Sequence, residues 1–227
     1  MIVAAHQPQY MPWLGYFDKI DRADVFVLLD TVQFKKNEWQ NRNKIKTVRG
    51  WQWLTVPVSY RFPEKIYEVA ISQESRWQDK HRKTLNTNYA KSLYYNDIMA
   101  VLDHVFSKEW DRIGLLNVFI VKALVRMLGI TTPIYVASEL GDFPDDPDER
   151  LIAMTQYFNG STYLAGSGAN AYMKLEKYEK AGIRVESQTF RHPVYPQLFG
   201  DFEPFMSVLD LLFNCGPNGL PILRGGR

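Results

Sequence analysis

A single cysteine, Cys215, stands among 227 residues, so no internal disulfide forms and no metal site built on paired cysteines exists. A reducing cytoplasm is the compartment this usage fits best. No run of about 18 apolar residues occurs, which argues against a membrane-spanning helix. The opening MIVAAHQPQ lacks the basic start and long apolar stretch of a secretory leader, so a soluble, untargeted protein is expected. An excess of one charge is missing too. Lys and Arg number 27 against 25 Asp and Glu, and the resulting +2 gives the surface as a whole no reason to bind nucleic acid or membrane. Any anion site must come from local geometry. Histidines are few, four in all, and His81 and His104 lie on expected helices 23 residues apart without ligand spacing. HExxH, GxSxG and a GK[ST] ending are absent, and Cys215 beside an apolar helix reads as a packed residue, so no metal is expected.

What is present is enough apolar residue, 46% of the chain, to bury a substantial core, and one domain spanning 1–227 is expected. Residues 2–5 are short, apolar and partly β-branched. A proline-interrupted loop follows, then helix-like spacing over 13–20, then VFVLL at 25–29, a continuous apolar run that suits a strand covered on both faces. Residues 41–47 and 52–58 read as a hairpin turning at Arg49-Gly50. Three helices are expected over 78–91, 96–109 and 111–129. Alternation then resumes: strands at 133–138, 161–166 and 182–188, with helices around 147–158, 170–181 and 207–214. Strand and helix in alternation predict a parallel or mixed α/β sheet carrying a hairpin and a helical insert.

The loop HQPQYMP, 6–12, sits at the carboxyl end of the first expected strand, the edge where open α/β sheets bind ligands. Pro8 and Pro12 stiffen it, lowering the entropic cost of holding something. His6, Gln7, Gln9 and Tyr10 are therefore candidate site residues, His6 first, although a histidine here can also simply cap the strand. Asp30 and Gln33 end the second strand beside that loop. One of them can ligate a metal or position a hydroxyl, and Asp30 can equally only start a turn. Along the hairpin, Arg42, Lys44 and Lys46 alternate with Asn41, Asn43 and Ile45. Three cations on one face can receive a diphosphate, or can merely be a solvated face that discourages edge pairing. Gly166, Ser167 and Gly168 follow an expected strand and precede an expected helix, so their backbone N–H groups can cradle an anion or form a plain turn. His192 stands in a second proline-stiffened loop with an open role.

The stretch from His6 to Val58, with YLAGSGANAY and HPVYPQLFGDFEPFMSVLDLLFNCGP, resembles the bacterial WbqC-like family across essentially the whole chain. That resemblance implies a link to surface-polysaccharide (O-antigen) gene clusters and a role in placing glycine or another acyl group on the amino group of a dideoxy sugar. FVLLDTVQFKKNE is more faintly similar to pantothenate synthetases, whose glutamine-phenylalanine pair and downstream asparagine and glutamate correspond to Gln33-Phe34 and Asn37-Glu38. This similarity implies a Rossmann-like, nucleotidylyl-transferase-like core and amide formation through an ATP-activated carboxylate. The histidines of that fold's HxGH signature are replaced by Trp13 and Tyr16, and only Gly15 is kept. The expectation is an acyl transferase on a nucleotide-linked amino sugar, with a small phosphate-bearing substrate and with ATP, a thioester or an aminoacyl-tRNA as the source of the activated acyl group. An amide ligase or nucleotidylyl transferase for another metabolite, and a non-catalytic nucleotide- or sugar-binding protein, are the alternatives.

Overall fold

A computed structural model describes residues 1–73, 76–168 and 173–227. In chain order its elements begin with β1 (Ile2–His6), α1 (Leu14–Arg22) and β2 (Val25–Leu28), followed by β3 (Arg42–Thr47), β4 (Gly50–Thr55), β5 (Val58–Ser59) and β6 (Ala70–Ile71). The helices α2 (Trp77–Tyr89), α3 (Tyr95–Phe106) and α4 (Ile113–Leu128) come next, then β7 (Ile134–Val136), α5 (Pro147–Tyr157), β8 (Thr162–Ala165), α6 (Leu175–Lys180) and β9 (Arg184–Ser187). The chain closes with α7 (Val208–Cys215) and α8 (Gly219–Arg224).

β7, β2, β1, β8 and β9 form one sheet in that spatial order, every pair parallel. Starting from its first strand, the chain builds outward through β2 and β7 on one side and β8 and β9 on the other. This is the doubly wound, Rossmann-like order: the alternating pattern predicted a parallel or mixed sheet, and the resemblance to pantothenate synthetases implied its Rossmann-like form. Side-chain alternation sends Val3, Ala5, Val25, Val27, Tyr163 and Ala165 into a core shared with α5 and α6. Ala4, Phe26, Leu28 and Leu164 enter the larger core of α1, α2, α3, α4 and α7. Both faces are covered, which is why VFVLL carries no polar alternation. Burying one such side chain stabilises the fold by roughly 1.5–3 kcal/mol.

Local chemistry sets the element ends. Asp146 caps α5 by accepting from the Glu149 N–H at 3.0 Å, with Pro147 as first helical residue. Gly129, at φ 75°, takes the left-handed cap that stops α4. The hairpin β3–β4 and helices α2–α4 lie within about two or three residues of their expected positions. The short β5–β6 pair and α8 were not expected, because two-residue strands and a six-residue helix are too brief to show periodicity.

Candidate functional site

At the carboxyl ends of β1 and β8, where the strand order reverses, a cavity of about 450 Å³ opens. It is the topological switch point at which open α/β sheets hold ligands. His6, Gln7, Lys19, Gln33, Lys35 and Arg150 supply its polar lining, with Gly166 and Met173 on either side of the segment after β8. His6 and Gln33 share this space.

His6 Nδ1 lies 3.2 Å from the Gln7 carbonyl, the geometry of an Nδ1–H donor that leaves the lone pair on Nε2. Burial, and then the Lys19 charge, lower its pKa from 6.5 to about 4, so the ring is neutral at pH 7. Lys19 projects from α1 and donates to the Ala5 carbonyl at 2.9 Å. Burial lowers its pKa from 10.5 to about 8. Sequence reasoning missed Lys19. Its signal was present, since Leu14-Gly15-Tyr16-Phe17 covers every face of the first helical turn, which marks a helix buried all round and so buries its lysine too. Arg150 is partly committed, donating to the Pro144 and Asp145 carbonyls at 3.0 and 2.7 Å.

A neighbouring cavity of about 330 Å³ shares His6, Gln7 and Lys35 and adds Gln9, Trp13, Glu38, Trp39 and Gln40. Gln40 orders this wall: its Oε1 accepts from the Lys35 N–H and its Nε2 donates to Gln7 Oε1, both at 2.7 Å.

The remaining expected site residues are placed elsewhere. Tyr10 is core, its hydroxyl 2.8 Å from His81 Nδ1. Asp30 does not line the cavity, because its oxygens accept from the Ser138 N–H and hydroxyl at 3.0 and 2.6 Å, joining the ends of β2 and β7. Asn43 donates to the Met11 carbonyl at 2.8 Å and Asn41 to that of Val56 at 3.0 Å, so both hold backbone. Asn43, with Asn117 of α4 donating to the Pro8 carbonyl at 3.1 Å, is what fixes the proline-rich loop. The hairpin cations are not a free triplet. The Arg42 guanidinium lies 4.2 Å from the Trp53 ring centre and the Lys44 ammonium 3.9 Å from that of Trp51. Lys46 is buried and donates to the Asp201 carbonyl. His192 stacks between Trp13 and Tyr195 and lines neither cavity. Ser167 and Gly168 are exposed, and the described helix α6 begins only at Leu175 with six residues, so it offers the 166–168 loop no adjoining N-terminus. The expected helix start and the rest of that loop, 169–172, lie outside the described residues. Among the described residues no cluster of metal-binding side chains occurs, and no helix is long and apolar enough to cross a membrane.

The buried histidines predict acid sensitivity. His81 also has its pKa lowered to about 4 by burial. Both rings bind a proton less readily when folded, so stability is complete above pH 6.5 and falls as pH drops toward 4. At pH 5 the loss from each ring is about 2 kcal/mol. Urea unfolding at pH 7 and pH 5 measures it, and the His6→Gln variant should remove about half of this contribution.

The model of the WbqC-like protein family matches residues 7–222. An uncharacterised protein of Mycobacterium tuberculosis (strain ATCC 25618 / H37Rv) is 36% identical over 228 residues, covering 98% of this chain and 97% of the relative. No solved structure matches significantly. With the family pattern running from the His6 loop through β9 to α8, the chain belongs to the WbqC-like protein family.

Proposed function

We propose that the chain is a transferase that places an acyl group, glycyl or similar, on the amino group of a nucleotide-linked amino sugar. The observation that supports it is the meeting of a neutral His6 and a buried, cationic Lys19 in one cavity, with Lys35 and Arg150 also lining it. Acyl transfer needs an amine freed of its proton, a base to take that proton, and positive charge where negative charge develops. The amine nitrogen attacks the acyl carbon, a C–N bond forms, and the bond to the leaving group breaks with its electron pair. His6 Nε2 accepts the proton. Lys19 stabilises the oxyanion, and an anionic substrate beside His6 raises that ring's pKa toward the working pH. The diphosphate contacts first given to Arg42, Lys44 and Lys46 pass in this reading to Lys35 and Arg150, because the hairpin cations are occupied by rings and a carbonyl.

The test is incubation with nucleotide-linked amino sugars and three glycyl donors: glycine with ATP, a glycyl thioester, and glycyl-tRNA. Mass spectrometry of the sugar reads the product. A glycyl mass increment with one donor is expected, and general-base removal in His6→Ala should slow it about 100-fold or more. Full activity in His6→Ala would remove the role given to that residue. Tight sugar-nucleotide binding without turnover by any donor would make the chain a binding protein instead.

A further inference from the structure

The second cavity contains an unsatisfied group that acyl transfer does not use. Gln9 is only 6% exposed, lines this cavity, and its Oε1 is buried without a hydrogen-bond partner among the described residues. A buried amide oxygen left unpaired is costly, so a donor belongs beside it when the site is filled. Rotation of the carboxamide exchanges its acceptor and donors. It therefore offers an acceptor and a donor in one plane, the pairing that glutamine uses on the edge of a nucleobase.

The surroundings suit the same occupant. Trp13 is held as a rigid wall: a Cβ at Gly15 would lie 2.3 Å from its indole, and Phe190 and Phe205 pack against it. Trp39 remains 37% exposed, tilted on Trp53. Indole surfaces bind bases by stacking whatever their identity. One cation and one carboxylate, Lys35 and Glu38, leave the lining without the single-sign charge that an isolated phosphate or ammonium would select. The volume, about 330 Å³, lies within the range of small-molecule sites. His6, Gln7 and Lys35 line both cavities, so the two adjoin at these residues.

We propose that this second cavity is a nucleobase subsite, in which Gln9 pairs with the base edge and Trp39 packs on its face beside the Trp13 wall, while the attached phosphates lie over Lys35 in the His6 cavity. The inference rests on reading the first cavity as the phosphate site and identifies which end of the nucleotide lies where.

Titration calorimetry with inorganic pyrophosphate and the common nucleoside diphosphates separates the two readings. At least one nucleoside diphosphate should bind ten times more tightly than pyrophosphate and quench tryptophan fluorescence. In Gln9→Leu that ratio should fall to within about twofold, and Trp39→Ala, at an exposed position, should lower it as well and lose most of the quenching. Pyrophosphate binding as tightly as every nucleoside diphosphate would overturn the base subsite while leaving the phosphate site standing. Failure of all these probes to bind would overturn both. A ratio undiminished in folded Gln9→Leu and Trp39→Ala proteins would show that the base is read elsewhere.

Discussion

Replacing Lys19 by methionine is expected to make the protein more stable and less able to bind its ligand. The fall of the Lys19 pKa from 10.5 to about 8 corresponds to about 3 kcal/mol of stability withheld at neutral pH. The sign follows from which state holds the proton more tightly. The unfolded chain does, so the penalty is complete below pH 8 and is relieved as pH rises toward 10.5. Methionine keeps most of the stem and carries no charge into the core, but gives up the bond to the Ala5 carbonyl, about 1 kcal/mol. A net gain near 2 kcal/mol remains, or roughly 4–8 °C in melting temperature for a chain of this size. Calorimetry at pH 7 and pH 10 checks it, because the advantage should shrink at the higher pH. In the same variant, affinity for a phosphate-bearing ligand should drop at least tenfold, and the His6 ring, freed of a neighbouring charge, should titrate higher by NMR. A variant less stable at pH 7 would mean that Lys19 is held for packing. Stability given up for a charged cavity is the familiar cost of a functional site.

The opposite effect is expected at Asp210. This carboxylate, fully buried in the first turn of α7, accepts from the Tyr89 and Tyr195 hydroxyls at 2.8 and 3.0 Å and from Gln197 Nε2 at 2.6 Å. It joins α2 and the 195–197 segment to the last large helix. Truncation in Asp210→Ala leaves the two buried tyrosine hydroxyls facing a void, while Gln197 Nε2 keeps the Glu203 carbonyl at 3.0 Å, and each unsatisfied donor costs roughly 1–3 kcal/mol. A loss of about 4 kcal/mol is expected, or roughly 8–16 °C in melting temperature. Asp210→Asn should cost less, since one acceptor oxygen survives and tyrosine hydroxyls can turn. Denaturant unfolding of the two variants ranks them, and a loss below about 1 kcal/mol for Asp210→Ala would contradict the network. Burial raises the Asp210 pKa, so this group favours folding at low pH and that contribution is lost as pH rises through its folded value. It opposes the two histidines, and Asp210→Asn should therefore steepen the acid instability measured at pH 5.

These experiments touch residues of two kinds, and the difference separates what was legible in the sequence from what was not. Elements were legible because they follow local rules. VFVLL at 25–29 holds the strand Val25–Leu28, the hairpin expected over 41–58 is β3–β4, closed by the Thr47–Gly50 pair, and the helix expected over 111–129 is Ile113–Leu128. A cavity at the carboxyl end of β1, lined by both His6 and Gln33, lies at the edge that the same alternation pointed to. Roles of single polar residues were not legible. Asn43, Tyr10 and Asp30 looked like ligands for a substrate. They instead bind the Met11 carbonyl, His81 and Ser138, partners 32, 71 and 108 positions away. Lys19 was not singled out and lies in the cavity. The sequence alone determined the strands and helices, their order along the chain and the sheet edge at which the cavity opens, because hydrophobic period and turn chemistry act over a few residues. Only the tertiary structure decided which polar side chains are used up holding backbone and which are left for chemistry. A hydrogen bond depends on atoms brought together across the chain, and no local pattern records that distance.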